Sequence, residues 1–364
     1  MSARAIAAAL ALLAAWPAQA YQRSCATNGG LTVCFYWPDP SAVTWKVNPV
    51  RGGDSPSCQP SSAGDPAVQA AQAAFAAWEG ATRAGASAPC AHVSLPFGGT
   101  TSTAIAQTGM GTSGEHVVAF RKGWCSDLAA ARADACYSSA SCDNEYDCFD
   151  DEGGLGRSVL AITTIIYNPN TGAIQDADTE VADWSGAGAG VTGIGGAPEG
   201  WYFTCGSDST LGQTCGTYGQ AGCGYEDLQN TLTHEAGHFI GLAHPCESKA
   251  VGSTPACASL PPGSDAVTMY PTAPPKEIQK RTLAADDVEG VCAIYTAAGP
   301  VQEISGKKSG GGGGCSAGGG GALGALLLAG AALLPRLRPS TPRRRGRRYA
   351  RDERDPVQRT TTPA

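Results

Sequence analysis

The spacing of hydrophobic and polar positions changes several times along the chain, and each change predicts an element. Thr32 to Tyr36 and Val43 to Val47 are β-branched and aromatic runs broken by Pro38-Asp39-Pro40, which suits short strands or a hairpin. Trp45-Lys46-Val47-Asn48 is the better sheet strand of the two. Asp65-Pro66 supplies a cap and a first-turn proline, and Ala-rich sequence carries a helix from there to Trp78, with Val68, Phe75 and Trp78 at core-facing spacing. Val93 to Phe97 and His116 to Phe120 predict two more strands. Val159 to Tyr167 is the clearest strand of all; an Asn-Pro-Asn-Thr-Gly turn follows it, and then the loosely alternating Ala173 to Asp183. From Tyr225 the period is helical, with Glu226 and Asp227 at the positive end and Leu228, Leu232 and Phe239 on the buried side. A last helix, Thr282 to Tyr295, turns Leu283, Val288, Val291 and Tyr295 inward, with Cys292 placed to staple it. Strands interleaved with three main helices make the fold class α/β, of the α+β kind.

The two ends are of different material. Residues 1–20 carry Arg4, an apolar run from Ile6 to Ala15 and the small-x-small triplet Ala18-Gln19-Ala20, the layout of a signal peptide whose removal leaves Tyr21 first. After a domain-sized body at 21–298 comes a Gly-rich linker, 299–321, around Cys315. Residues 322–335 are apolar but short for a membrane span, and 336–364 are basic, which predicts a cytoplasmic tail. The chain has 15 cysteines, of which fourteen lie between Cys25 and Cys292. Such a number suits an exported protein with up to seven bridges; no C-x-x-C pair is present to suggest a thiolate zinc site, and Cys246 with Cys257 is a reasonable local pair. The segments 123–157 and 185–224 read as irregular insertions tied down by such bridges.

Charge divides with the same boundary. Between Tyr21 and Ala298 there are twelve Lys and Arg against twenty-eight Asp and Glu, whereas from Arg336 there are ten Arg against three acids. An acidic body lacks the basic stripe that displaces phosphate counterions, so nucleic acid is excluded as a partner.

The densest chemistry is His234-Glu235-Ala236-Gly237-His238-Phe239-Ile240-Gly241-Leu242-Ala243-His244, which reads HExxHxxGxxH. Helical residues four apart share a face, so His234 and His238 can aim at one metal ion with Glu235 beside them. Gly241 can turn left-handed, end the helix and bring His244 round as a third ligand. Three nitrogens leave a tetrahedral zinc one open position, which distinguishes a catalytic from a structural site. His92 and His116, outside the motif, read as structural or surface residues. Acids offer hard oxygens in two places: 143–152, whose spacing is not an EF-hand loop and which reads better as a solvated acidic loop pinned by disulfides, and the group Asp176, Asp178, Glu180 and Asp183. Asp176 and Asp178 are candidate calcium ligands, though charges guarding a sheet edge explain them equally well.

The sequence resembles the metzincin metalloproteases, and within them the matrixins. The resemblance rests on His234 to His244, on Met269-Tyr270-Pro271, which is similar to the matrixin Met-turn, and on Leu283 to Val291, similar to the closing helix. It implies a twisted mixed sheet with three main helices and a zinc cleft between an N-terminal and a smaller C-terminal subdomain, with disulfide-braced insertions. It further implies Zn²⁺ as cofactor, with Ca²⁺ a second candidate, Glu235 as general base and acid, Met269 as a floor beneath the metal, and protein or peptide substrates paired with a sheet edge near Gly172 to Asp183. The longer loop from His244 to Met269 and the cysteine-bearing insertions depart from the family, as does the lack of a propeptide-like cysteine segment after Tyr21. The tail resembles a myxobacterial, myxosortase-type sorting signal with Cys315 at the processing position. That likeness implies a sorting peptidase as partner, membrane contact through the tail alone, and an exported, cell-surface protein; a monomer is expected. The rival class is a non-enzymatic, disulfide-rich surface binding protein with a structural zinc; a zinc hydrolase for a non-peptide bond is a second alternative.

Overall fold

The structure, a computed structural model, describes residues 21–51, 56–103, 114–121, 123, 125, 128–135, 148, 159–183, 203–206, 226–274, 277–306 and 361–363. The signal segment, the acidic loop 143–152 apart from Cys148, the insertion 185–224 apart from 203–206, Cys315 and the apolar and basic tail segments up to 360 lie outside the described residues.

Five strands of the body form the main sheet: β1 (Trp45–Val47), β2 (Phe97–Thr100), β3 (His116–Phe120), β4 (Val159–Tyr167) and β5 (Ile174–Val181). Their order is β4-β5-β3-β1-β2. β1 runs parallel to β2 and β3, β3 runs parallel to β5, and β4 alone is antiparallel to its neighbour. Thr361–Pro363 lies antiparallel along the outer edge of β4. The sheet is therefore mixed, as the alternation of strand and helix signals requires.

Among the described residues, three helices of eight residues or more pack with it: α1 (Pro66–Glu79), α2 (Leu228–Phe239) and α3 (Ala285–Ile294). The Asp65 side chain accepts from the Ala67 and Val68 amides, so the cap and first-turn proline act as their order predicts. Ala67, Ala71 and Ala74 bury a smooth face on α1, while Phe75 and Trp78 project from it into the core. Trp45 of β1 stacks on Phe75 with ring centroids 3.9 Å apart, which joins sheet to helix. On β3 the pleat divides the residues: Val118 and Phe120 join the main core, while Val117 and Ala119 form a small cluster on the other face.

Disulfides join Cys25–Cys34, Cys58–Cys205, Cys90–Cys292, Cys125–Cys148 and Cys246–Cys257. Cys246–Cys257 is the local pair offered above as reasonable, and Cys292 does fasten α3. These bridges are consistent with an extracellular protein. No helix among the described residues is long and apolar enough to cross a membrane.

Several expectations need correction. The segment around Gly172 to Asp183 is not the edge, because β5 lies between β3 and β4 and the outer body strand is β4. Its acids are buried, not half-exposed: Asp176, Asp178, Glu180 and Asp183 are at most 4% accessible. Partners on β3 and just past its end make this tolerable, since His116 Nδ1 bonds Asp176, the Val117 amide donates to Asp178 and Arg121 pairs with Glu180. The predicted strand at Val93 to Phe97 begins only at Phe97, because Ser94 N donates to Pro40 O and Leu95 N to the Glu79 carboxylate instead of to a ladder. Thr32 to Tyr36 does not pair with Val43 to Val47; Leu31–Cys34 pairs antiparallel with Cys25–Asn28.

Candidate metal centre

α2 is held on every side before any ligand is considered. Asp227 caps it by accepting from the Asn230 amide at 2.7 Å. Leu228, Leu232 and Phe239 enter the core as their spacing predicts. Two tryptophans bond its carbonyls, Trp78 Nε1 to Thr233 O at 2.8 Å and Trp37 Nε1 to Phe239 O at 2.9 Å. Tyr295 O–H donates to Ile240 O just past its end. Gly237 is the point of closest approach: an added Cβ would collide with Met269 Sδ and lie 2.7 Å from Trp78 Cζ2. Gly237→Ala is therefore expected to lower stability by about 2 kcal/mol through overpacking; urea unfolding measures it, and a change below about 0.5 kcal/mol would show that Met269 moves aside freely.

The helix ends as the glycine predicts. Gly241 has φ +94, and any Cβ there would lie 2.5 Å from Phe35 O. The Gly241 amide closes the turn on His238 O at 2.8 Å. The chain then reverses and returns His244 to the helix face.

The structure brings the three predicted histidines together. His234 Nε2 lies 3.0 Å from His238 Nε2 and 3.1 Å from His244 Nε2, and the last two are 3.2 Å apart. Each ring is oriented from behind: His234 Nδ1 donates to Thr268 O at 2.7 Å, His238 Nδ1 to Leu242 O at 2.8 Å, and His244 Nδ1 to Glu247 Oε1 at 3.0 Å. A carbonyl can only accept, so Nδ1 of His234 and of His238 carries the proton and Nε2 presents a lone pair. Burial, reinforced by the neighbouring imidazoles, pushes His234 and His238 well below the usual histidine range and keeps them neutral. Ring nitrogens brought this close repel one another, and a cation at their centre resolves the conflict. A tetrahedral ion with bonds of about 2.0–2.1 Å requires nitrogens about 3.3–3.4 Å apart, close to the spacing found. The cluster can hold a metal ion.

Among the described residues no other group of three His, Cys, Asp or Glu side chains converges in this way. Asp176 and Asp178 do not join the triad; they stand on β5 with protein partners of their own, His116 and the Val117 amide. His116 packs on Trp37 at 4.7 Å and His92 is exposed, so both stand in the sheet and surface roles expected of them.

Met269 is buried against Gly237, on the turn that carries Thr268. That turn hangs from Asp287 on α3, whose carboxylate accepts from Thr268 N at 2.8 Å, Met269 N at 3.1 Å and Ala284 N at 2.9 Å. Glu235 is fully buried, and its Oε2 accepts from Thr163 Oγ1 at 2.7 Å. Sequence reasoning assigned no role to Thr163, Glu247 or Asp287. Asp287 carries a readable signal, an acid at the third position of a helix; Thr163 and Glu247 carry none, because their partners are set by tertiary structure.

Comparison with protein-family models and with curated proteins finds no match for this chain.

Proposed function

We propose that the chain is a zinc-dependent endopeptidase of metzincin, matrixin-like type. One observation carries the reading: three histidine nitrogens converge, and among the described residues no fourth protein ligand joins them, so a bound tetrahedral ion keeps a position for water or substrate. A zinc ion there would polarise a peptide carbonyl and make a bound water acidic near neutral pH. The chain's own residues do the rest. His234, His238 and His244 hold the ion with Nδ1 protons committed to Thr268, Leu242 and Glu247. Glu235, adjacent to His234 in the helix, accepts the attacking water's proton on its carboxylate and returns it to the leaving amine. Met269 floors the site, in line with the matrixin resemblance. The outer body strand β4, rather than Gly172 to Asp183, would be the strand along which an extended substrate pairs, taking the place that Thr361–Pro363 holds in this structure. The sheet with α1 and α2 forms one wall of the cleft, and the segment from His244 to α3 forms the smaller one.

The same reading includes export by the signal segment and surface sorting through Cys315, with a sorting peptidase as partner. The disulfides support the export half of it. A structural-zinc binding protein would need a fourth ligand and no buried carboxylate beside the triad. Digestion of casein by the exported chain separates the two. Activity is expected to fall at least about a hundredfold with a zinc chelator and to return with added Zn²⁺; digestion that ignores the chelator, or none by zinc-loaded protein, refutes the proposal.

A further inference from the structure

We propose that Thr163, backed by Thr179, is the positioning residue for Glu235. The bond itself is in the structure; its consequence for turnover rests on the peptidase reading above.

Thr163 sits mid-strand on β4 and Thr179 directly opposite on β5. They are 0% and 1% accessible. Thr163 Oγ1 lies 2.7 Å from Glu235 Oε2, 3.2 Å from Glu235 O and 2.9 Å from Thr179 Oγ1. A hydroxyl has one proton to give. The carboxylate oxygen is both the nearest acceptor and the charged one, so it takes that proton, and Thr179 in turn donates to Thr163. Glu235 thus ends a two-hydroxyl chain that crosses from one strand to the next and on to the helix. Threonine is stiff at χ1, and both members are locked by the β4–β5 ladder, so the donor is fixed before substrate arrives. Holding Oε2 fixes the plane and rotamer of the carboxylate that must meet the water's proton.

A bland role exists for the same residue: the 3.2 Å contact to Glu235 O would make Thr163 mere adhesive between sheet and helix. Three variants of the full exported chain distinguish the roles. Thr163→Val keeps the shape and loses the donor, Thr163→Ser keeps the donor, and Thr179→Val removes only the second hydroxyl. With zinc loaded and a fluorogenic peptide as substrate, Thr163→Val is expected to lose roughly 10- to 100-fold in kcat with KM within about twofold. Thr163→Ser should recover to within about threefold of wild type, and Thr179→Val should fall between them. A second readout does not depend on turnover. In a thermal-unfolding cycle of Thr163→Val with Glu235→Ala, the Thr163 substitution should lower Tm by less than half as much in the Glu235→Ala background as in wild type. Additive Tm changes, or a Thr163→Val kcat within about threefold of Thr163→Ser, overturn the proposal. A wild-type chain that digests nothing refutes the peptidase reading instead, and the Tm cycle then decides the Thr163 bond by itself.

Discussion

On the peptidase reading proposed above, Glu235→Gln is expected to bind zinc as wild type does and to lose about a thousandfold in kcat. The substitution is isosteric, and the amide oxygen can still accept from Thr163 at the place where Oε2 accepts now. His234, His238 and His244 keep their own Nδ1 anchors, none of which involves Glu235. What disappears is the ability to take a proton, and general base catalysis contributes on the order of 10² to 10⁴ in rate. Zinc content by elemental analysis should equal that of wild type while kcat on a peptide falls. If the Glu235→Gln variant digested denatured substrate at the wild-type rate, Glu235 would have no part in the mechanism, and zinc loss in the same variant would mean that the carboxylate helps to retain the metal.

The triad was legible because its geometry is local. Two ligands four apart on a helix, a glycine that can turn left-handed and a third histidine three residues on are fixed by backbone periodicity alone, and Gly241 at φ +94 carries out that instruction. The start of α1 was legible for the same reason, since Asp65 and Pro66 act on their own turn. Sheet order was not. Ala173 to Asp183 has the charged, alternating look of an edge, yet β5 lies inside the sheet because His116, the Val117 amide and Arg121 receive its acids. Those partners are about sixty residues away in sequence, and no local pattern announces them. Glu247 and Thr163 escaped notice for a related reason: a glutamate after a turn and a threonine in a strand are ordinary until the fold places them against His244 and Glu235. Asp287 differs from Asp286 in sequence by its place at the third helical position, but its bonds from Thr268 N and Met269 N are tertiary and no local pattern announces them.

Asp287→Ala should show that the metal centre hangs from α3. The Asp287 carboxylate is the common acceptor for Thr268 N, Met269 N and Ala284 N. It is 1% accessible, and burial drives its pKa upward against the pull of those amides. Alanine would leave three amides without their acceptor, two of them on the turn beneath the triad. Each buried donor left unpaired costs about 1–3 kcal/mol, and because the three share one carboxylate their costs do not add fully, so about 3 kcal/mol is expected. For a domain of this size that corresponds to a Tm lower by roughly 6–12 °C. The second effect is on zinc. Thr268, whose amide Asp287 holds, offers its carbonyl to His234 Nδ1 at 2.7 Å, so a slack turn releases the ring that this carbonyl orients. Loss of such an outer partner typically weakens metal binding about 10- to 100-fold. Glu289→Ala is the control on the same helix, since Glu289 pairs with Arg83 at the surface, and it should leave both readouts near wild type. Competition with a fluorescent chelator measures the zinc affinity and calorimetry the Tm. If Asp287→Ala lowered Tm but bound zinc as tightly as wild type, His234 would be oriented without help from the turn, and the coupling of α3 to the metal centre would be wrong.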